Sequence, residues 1–394
     1  MQKLTIGLVL PEVPGYSETF FYSKIKGLKE HGHEVILFVN NNPGTFTLCK
    51  VVEARKVNSL NFLLQSLKLF LNNILVFLKT PGVIVKFIKL ERADGASFKY
   101  IFENIYINTH ILSQKLDWLH FGFATMAIRR ENVAGAINAK LAVSFRGYDI
   151  SIYPSKHPGC FNKLWKKVDK IHTISDDLYR EALKLGLSEL IPVQKITPAI
   201  NVEKFLNGKK FDGFQSPLKI ITVGRLNWKK GLEYAITALG YLHKRGIDFI
   251  YEIIGTGIEQ ERLVFAAYQL GINEKVHFLG KKTHDEVVTY MAESDIYLQP
   301  SIQEGFCNAV LEAQASGLLC IVTDAEGLPE NVLNDLTGWV VPKRNPKAIT
   351  EKIIEVINKN SLELLKIQQK AVERVKNEFK LQKQNLEFIK FYNI

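Results

Sequence analysis

The chain has 394 residues, of which 46% are hydrophobic and 23% are charged, and this length and composition indicate a globular protein with two domains. The formal net charge of +11 favours an anionic partner (a phosphorylated ligand, an acidic lipid surface or nucleic acid), with simple solubility as the alternative. The four cysteines, Cys49, Cys160, Cys307 and Cys320, form no C-x-x-C pair, which argues against a zinc knuckle and a disulfide framework.

The amino-terminal residues read as a first strand rather than as a signal peptide. They carry one lysine and a short apolar run, MQKLTIGLVLPEVPG, without the features of a secretory leader. No N-x-[ST] sequon occurs anywhere in the sequence. We therefore expect a cytoplasmic protein.

The first half of the chain opens with a βαβ unit. Residues 4–10 form a predicted strand, 19–32 a helix and 33–39 a second strand. Two strands joined by a helix in such close succession imply a parallel sheet. Further short buried strands are predicted at 140–145 and 170–175.

The same pattern restarts after a segment with two prolines, residues 192–205, which is typical of a linker. The strands predicted beyond it are 218–225, 249–255, 275–280, 295–301 and 319–325, with a helix at 231–246. This succession predicts two doubly wound α/β domains, each with ligands at the carboxyl ends of its strands. The predicted domains are 1–195 and 200–365, followed by a charged helical segment, 366–394, that packs back on the first domain.

One segment departs from the βα pattern. Residues 60–79 read LNFLLQSLKLFLNNILVFLK, an amphipathic helix with an apolar stripe. Its lysine and paired asparagines argue against a membrane-spanning helix. Residues 51–100 carry eight Lys or Arg against three Asp or Glu. Two interpretations stay open: residues 60–90 contact an anionic membrane surface, or the helix packs on the sheet of the first domain.

Two glutamates flank the loop between the strand at 295–301 and the helix that follows it. Glu304 precedes Gly305, and Glu312 lies two helical turns further along. The start of a helix is an anion site, and carboxylates are good acceptors for sugar hydroxyls. A sugar nucleotide across the helix start satisfies both conditions, whereas the alternative is that both glutamates are solvated.

A second cluster follows the strand at 218–225. The segment reads GRLNWKKG, and its Arg225 and Lys230 can neutralise a diphosphate that leaves a sugar carbon. For Lys230, a plain surface turn is the alternative. A third strand end, IIGTG, contributes Gly255 and Gly257, which suit a close backbone approach to a nucleotide. Three such elements in one domain favour a nucleotide site.

The order of these motifs resembles that of the retaining glycosyltransferases of family 4. The resemblance rests on GRLNWKKG, IIGTG, HFLG, PSIQEGFCNAVLEAQASG and LTGWVV, in which Glu304 and Glu312 have the family's E-x7-E spacing. In the first half, SETF, GHEV, HFGFATMA and SFRGYDI are similar to bacterial exopolysaccharide and colanic-acid-type members. The resemblance implies the GT-B architecture, in which two Rossmann-like domains face a central cleft. It also implies transfer of a hexose, with retention, to a lipid-linked glycan.

The resemblance assigns roles to individual residues. It implies that Glu304 contacts the transferred sugar, that Glu312 contacts the ribose, and that Arg225 and Lys230 bind the diphosphate. The expected donor-binding residues are Gly224, Gly255, Leu279, Ser301, Gly305, Phe306, Cys307, Asn308 and Glu312.

Catalytic roles in the first domain are expected for Arg146 and His120. Many members have a histidine where this chain has Arg146, and an arginine there is suited to binding the donor phosphate or sugar. For His120, a position near the cleft and a hydrogen-bonded position in the core are both open. On the acceptor side we expect Gly15, Ser17 and Glu18, with capping of the following helix by Ser17 or Thr19 as the alternative.

The donor is expected to be a UDP- or GDP-linked sugar that serves as substrate, with no other cofactor. No D-x-D occurs, so no metal ligands are visible and a metal-independent reaction is expected. A dehydrogenase would need G-x-G-x-x-G after a first strand, which both domains lack. Basic residues are spread along the chain without a nucleic-acid-binding motif. The remaining alternative is a catalytically degenerate GT-B protein that binds a nucleotide or glycan.

Overall fold

The computed structural model describes residues 3–15, 19–42, 44, 46–55, 62–206 and 211–393. The chain forms two compact units, one of Met1–Ile196 with Asn385–Ile394 and one of Thr197–Gln384. The boundary expected at residue 365 lies inside a helix of the second unit, and only the last ten residues belong to the first. Ser17 and Glu18 lie outside the described residues.

The first unit is built on a seven-stranded parallel sheet with the order β3-β2-β1-β4-β5-β6-β7. Its inner strands are almost completely buried, as expected for a parallel sheet covered on both faces. The strands are β1 (Thr5–Glu12), β2 (Glu34–Asn41), β3 (Lys50–Glu53), β4 (Trp118–Phe121), β5 (Lys140–Phe145), β6 (Lys170–Thr173) and β7 (Val193–Lys195). The last of these shows that the predicted linker begins within the sheet.

The helices of the first unit connect these strands. They are α1 (Thr19–Glu30), α2 (Phe62–Lys79), α3 (Pro81–Ala93), α4 (Phe98–Leu112), α5 (Val133–Ala136), α6 (Tyr153–Lys156), α7 (Asn162–Trp165) and α8 (Asp176–Lys184). In the described residues, no single helix has the length and apolarity to cross a membrane. Only the pair Gln65–Lys79 and Pro81–Ala93, bent by 116°, meets these two conditions together.

The second unit is built on a six-stranded parallel sheet with the order β10-β9-β8-β11-β12-β13. The strands are β8 (Leu218–Val223), β9 (Phe249–Ile254), β10 (Val276–Gly280), β11 (Ile296–Gln299), β12 (Leu319–Thr323) and β13 (Trp339–Val341). The helices are α9 (Leu232–Lys244), α10 (Gln260–Gln269), α11 (His284–Ala292), α12 (Asn308–Ala315), α13 (Leu328–Asn331), α14 (Pro346–Ile357) and α15 (Ser361–Glu378). The last helix, α16 (Leu381–Tyr392), begins in this unit, and its residues from Asn385 onward belong to the first. The two sheets confirm the predicted pair of Rossmann-like domains.

Each sheet has one point where the strand order reverses. In the first sheet β4 lies beside β1, and in the second β11 lies beside β8, so that the two connections diverge to opposite sides. Ligands of doubly wound sheets bind outside the carboxyl ends of the strands at such a point. The ends of β8 and β11 are therefore the expected binding position in the second unit.

Candidate functional site

A lysine and a glutamate meet at the point where the second sheet reverses. Lys230 ends a short 3₁₀ turn, Trp228–Lys230, that follows β8. Glu304 lies in the loop between β11 and α12. Lys230 Nζ is 2.5 Å from Glu304 Oε2, and each side chain is 16% exposed. The structure thus brings together two of the predicted site residues, 74 positions apart in sequence.

Backbone hydrogen bonds hold these two loops against each other. The N–H groups of Ile302 and Gln303 donate to the carbonyl of Lys229, at 2.7 and 3.2 Å. The N–H of Gly327 donates to the carbonyl of Glu304 at 2.9 Å. Since the main chain is fixed on both sides of the ion pair, the two charged groups are preorganised.

The ion pair keeps Lys230 charged. Burial alone would lower the pKa of the Lys230 ammonium, but the adjacent Glu304 carboxylate more than offsets this effect, so that the pKa lies above its ordinary value. A half-buried cation at a strand end is suited to stabilise negative charge on a ligand.

A row of hydrogen bonds between buried polar side chains positions the Glu304 carboxylate. The Ser301 hydroxyl donates to Glu304 Oε2 at 3.4 Å and accepts from Gln299 Nε2 at 2.7 Å. The Tyr297 hydroxyl in turn donates to Gln299 Oε1 at 2.8 Å. Ser301 and Gln299 are completely buried. Ser301, expected to bind the donor, therefore positions Glu304 in this structure, and Gln299 and Tyr297 are supporting residues that sequence reasoning missed.

The start of α12 differs from the sequence prediction at Cys307. Its N–H was expected to be a donor to the ligand, but it donates to Asn331 Oδ1 at 2.9 Å, while Asn331 Nδ2 donates to the Cys307 carbonyl at 3.1 Å. The Asn331 side chain therefore accepts from the Cys307 N–H in the place that a bound anion would take. Gly305, Phe306 and Cys307 are buried and Asn308 is half-buried. Burial raises the pKa of the Cys307 thiol to about 11, so the thiol is neutral.

Glu312 is a half-buried carboxylate with no hydrogen bond or ion pair to any described residue. It lies on α12, one helical element beyond Glu304. Burial raises the pKa of Glu312 to about 8. A carboxyl group kept in an apolar setting without a partner is unfavourable for the free protein and is characteristic of functional sites.

The end of β8 carries the second predicted cation. Arg225 is exposed, and its positive charge acts to lower the pKa of Lys230, against the stronger effect of Glu304. Gly224 gives room to the Lys230 side chain, because a Cβ on Gly224 would lie 3.3 Å from Lys230 Cε. Leu279, half-buried near the end of the edge strand β10, lies two strands away from β8.

Gly255 and Gly257 serve backbone packing in this structure. A Cβ on Gly255 would lie 1.9 Å from the carbonyl oxygen of Gly224, and a Cβ on Gly257 would lie 2.1 Å from that of Leu226. The glycines therefore permit a close approach to the loop after β8, and their predicted contact with a nucleotide stays a prediction.

We expect Gly255→Ala to destabilise the second unit by about 3 kcal/mol or more, because it combines a backbone clash with a strained φ of +140°. The measurement is equilibrium unfolding in urea. Gly246→Ala is the matched control, since Gly246 has φ +76° and nothing within 4 Å of its Cβ position. We expect the control to cost about 1 kcal/mol. Equal losses in both variants would contradict the packing role.

In the first unit, Arg146 follows β5 near the point where that sheet reverses. Its guanidinium lies over the rings of Phe20 and Phe21, with its carbon 3.6 and 4.5 Å from their centroids. The backbone N–H of Arg146 donates to the buried Asp149 carboxylate, at 3.0 Å. These contacts fix a half-buried cation at a strand end. Gly15, also on the predicted acceptor side, is exposed in the loop after β1.

His120 is completely buried in the first unit. Its Nε2 lies 2.7 Å from Ser144 Oγ, which lies 2.7 Å from His172 Nδ1. His172 Nε2 lies 3.0 Å from the Ile196 carbonyl, which only accepts. The proton order is therefore fixed along the row, with His120 Nδ1 accepting from the Tyr392 hydroxyl at 2.5 Å.

Both histidines of this row are neutral, since burial lowers the pKa of each well below its ordinary value. This placement matches the core interpretation of His120 and not the one near a ligand. A hydrogen-bonded core histidine and a catalytic one have the same sequence signal, because either can lie near the end of a buried strand, as His120 does in β4.

Among the described residues, no group of three or more His, Cys, Asp or Glu side chains is arranged to hold a metal ion.

Comparison with known proteins gives the family. A family model described as "Glycosyl transferases group 1" matches residues 207–377. WcaL of Escherichia coli, named as a colanic acid biosynthesis glycosyltransferase, is 30% identical over 277 residues, which are 68% of this chain and 68% of WcaL. AmsK of Erwinia amylovora, named as an amylovoran biosynthesis glycosyltransferase, is 29% identical over 66% of this chain and 65% of AmsK.

Solved structures show the same fold. A glycosyltransferase from Rickettsia africae superposes with a TM-score of 0.71 at 21% identity, over 100% of this chain and 98% of that chain. HepE from Anabaena, in complex with UDP and glucose, has a TM-score of 0.69 at 14% identity, with 98% of both chains covered. The chain therefore belongs to the group 1 glycosyltransferases and has the GT-B fold, with one Rossmann-like domain in each unit.

Proposed function

We propose that this glycosyltransferase moves a hexose from a nucleotide diphosphate sugar to a hydroxyl of a lipid-linked glycan, with retention at the anomeric carbon and without a metal ion. The observation that carries the proposal is the ion pair of Lys230 and Glu304 at the reversal point of the second sheet. Retention corresponds to the family 4 pattern in the sequence.

The ion pair explains how a carboxylate and a diphosphate can share one site. Without a ligand, Glu304 neutralises Lys230, and the exposed Arg225 nearby remains to attract the diphosphate. When the diphosphate binds, Lys230 lies between two anionic groups and reduces their mutual repulsion. We assign the binding of the diphosphate to Lys230 and Arg225.

Two carboxylates are assigned to the two sugars of the donor. Glu304 accepts hydrogen bonds from hydroxyls of the transferred hexose, since its position is fixed by Ser301 and by the backbone of its loop. Glu312 accepts from the ribose hydroxyls, because it is a partly buried carboxylate on α12, without a partner among the described residues. Two neighbouring hydroxyls match the acceptor capacity of one carboxylate.

The proposed step is a substitution on one face of the sugar. The bond between the anomeric carbon and the leaving phosphate oxygen breaks, and a bond to the acceptor oxygen forms on the same side. The proton of the acceptor hydroxyl passes to the leaving phosphate oxygen. Negative charge grows on the diphosphate during this step, and Lys230 and Arg225 stabilise it.

The acceptor is proposed from the relatives. WcaL and AmsK carry the names of bacterial exopolysaccharides. A galactosyltransferase of Escherichia coli, 28% identical over 48% of this chain, is named for a diphosphoundecaprenol-linked acceptor. We propose exopolysaccharide synthesis on a lipid carrier at the cytoplasmic side of the membrane. We assign the acceptor to the first unit, where Arg146 provides a fixed cation.

The test is calorimetric titration of UDP and GDP into the wild-type protein and Glu312→Gln, with and without magnesium. We expect one nucleotide to bind with micromolar affinity in the absence of metal, and about tenfold more weakly to the variant. Failure of both nucleotides to bind would overturn the proposal. Binding without turnover of any sugar nucleotide would instead support the degenerate binding protein.

A further inference from the structure

Helix α2 exposes the apolar side of its amphipathic pattern. Its outer face is defined by six side chains spaced three or four positions apart, which places them on one side of the helix. They are Leu67 (54% exposed), Phe70 (54%), Leu71 (50%), Ile74 (41%), Leu75 (54%) and Leu78 (70%). An apolar stripe normally faces the core, so this outer face requires an explanation.

The opposite side of α2 is anchored by polar groups. Asn72 and Asn73 are 2% and 6% exposed. Asn72 Nδ2 donates to Thr109 Oγ1 of α4 at 2.8 Å, and Asn73 Nδ2 donates to the carbonyl of Phe102 at 2.8 Å. Turning the leucines inward would break these buried hydrogen bonds, which is unfavourable. The amides therefore hold the outer face towards the surroundings.

All exposed charges of α2 and α3 are positive. Residues 65–93, which the structure describes without a gap, contain five Lys or Arg, and every one is exposed. They are Lys68, Lys79, Lys86, Lys89 and Arg92. The single acidic residue, Glu91, is completely buried and bonded to Lys163 and Asn132. Within residues 65–93 the exposed charges are thus cations alone, and Asp94, which directly follows α3, is paired with Lys163 and Lys167.

The helices are shaped to lie against a surface. The axis turns by 116° between α2 and α3, so the pair does not form one continuous rod. From Leu67 to Leu78 the outer face is about 17 Å long at 1.5 Å per residue. An exposed apolar helical face with flanking lysines is the pattern of an interfacial helix, whose side chains enter the headgroup region without crossing the bilayer.

We propose that the outer face of α2 docks on an anionic lipid bilayer, with the lysines of α2 and α3 against the lipid headgroups. The single sign of the surrounding charge favours an anionic bilayer over a second copy of this chain, because a second copy would oppose cations to cations. This proposal does not depend on the donor chemistry, since α2 belongs to the first unit and the donor residues to the second.

The test is co-sedimentation of the full chain with vesicles of phosphatidylglycerol and phosphatidylcholine, without any sugar nucleotide. We expect wild type to bind these vesicles and to bind pure phosphatidylcholine at least tenfold more weakly. The variant Leu71→Gln/Ile74→Gln/Leu78→Gln, changed only at exposed positions, should lose about tenfold or more in partitioning. Lys68→Gln/Lys79→Gln should lose a similar factor, and this loss should shrink at high salt.

Matched controls lie in the second unit. Val264→Gln/Phe265→Gln/Tyr268→Gln removes three exposed apolar side chains of α10, and Lys366→Gln/Lys370→Gln removes two exposed lysines of α15. Both should bind vesicles as wild type does. If the control variants lost as much vesicle binding as the α2 variants, binding would depend on overall charge and not on the outer face of α2. This result would overturn the proposal. Wild-type self-association that the leucine variant abolishes, without vesicle binding, would assign the face to a second copy instead.

Discussion

Lys230→Met is expected to lower the rate of glycosyl transfer by about 10²- to 10³-fold, the usual loss when one fixed group that stabilises transition-state charge is removed. Methionine keeps the length and apolar part of the side chain but cannot neutralise the leaving diphosphate. The measurement is steady-state release of nucleotide from the sugar nucleotide that the wild-type protein turns over.

Lys275→Met is the matched control for this prediction. Lys275 Nζ lies 2.5 Å from Asp248 Oδ1, the same distance as in the pair of Lys230 and Glu304. Asp248 directly precedes β9 and Lys275 directly precedes β10, so this exposed pair lies at the amino edge of the same sheet. We expect Lys275→Met to carry out glycosyl transfer at the wild-type rate. Similar rates in the two lysine variants would contradict the role of Lys230.

A third variant separates folding from chemistry. Lys230→Met leaves the Glu304 carboxylate, which is 16% exposed, without its cation, and we expect a loss of about 1 to 3 kcal/mol in the free energy of unfolding. Adding Glu304→Gln removes that unpaired charge and should restore most of the stability, but not the transfer rate. Activity that returned together with stability would assign the ion pair a purely structural role.

The sequence predicts the two parallel sheets well for a physical reason. Strands buried on both faces are continuous apolar runs, and each is followed by a helix, so five of the six strands of the second unit are recognisable one by one. The predicted strand at 140–145 has the observed bounds of β5. Strands of three or four residues carry a weaker signal, and the edge strands β3, β7 and β13 and the inner strand β4 are missed for that reason.

The site residues could be predicted as a group, but their contacts could not. The pairing of Lys230 with Glu304 joins residues of two loops, and no local pattern encodes it. The same holds for Asn331 at the end of α13, whose side chain accepts the hydrogen bond of the Cys307 N–H. Gly255 shows the complementary difficulty, since a glycine that accommodates a ligand and one that accommodates another backbone segment look alike in sequence.

Helix α2 shows why an amphipathic pattern does not fix which side is buried. The period of the leucines predicts the helix, but the buried side is chosen by Asn72 and Asn73, whose partners on α4 are about thirty residues or more away. Of the two interpretations of this segment, the one that packs the helix on the first domain predicted contact with its sheet, whereas α2 packs on α4 and α3, with Asn72 and Asn73 bonded to α4.

Glu312→Gln is expected to stabilise the ligand-free protein at pH 8 and above by about 2 to 4 kcal/mol. Burial raises the pKa of Glu312 to about 8 in the folded state, from about 4.5 when unfolded. The folded state then binds more protons between these values, so the stability contributed by the neutral acid is present below pH 4.5 and is lost as the pH rises towards 8. Urea unfolding at a series of pH values should show this slope in wild type and not in the variant.

The same carboxyl group gives donor binding the opposite pH dependence. The ribose hydroxyls need an ionised acceptor, so binding must remove the proton from Glu312, and nucleotide affinity should rise by up to about tenfold per pH unit below pH 8 and level off above it. Between pH 7 and 9 the phosphates of the nucleotide are already ionised, since their last pKa is about 6, and cannot produce this rise. Calorimetry at pH 7 in buffers of different ionisation enthalpy should detect the release of up to about one proton per nucleotide bound. An affinity that is flat with pH, or equally pH-dependent in Glu312→Gln, would remove Glu312 from the donor site while leaving the role of Lys230 and Glu304 intact.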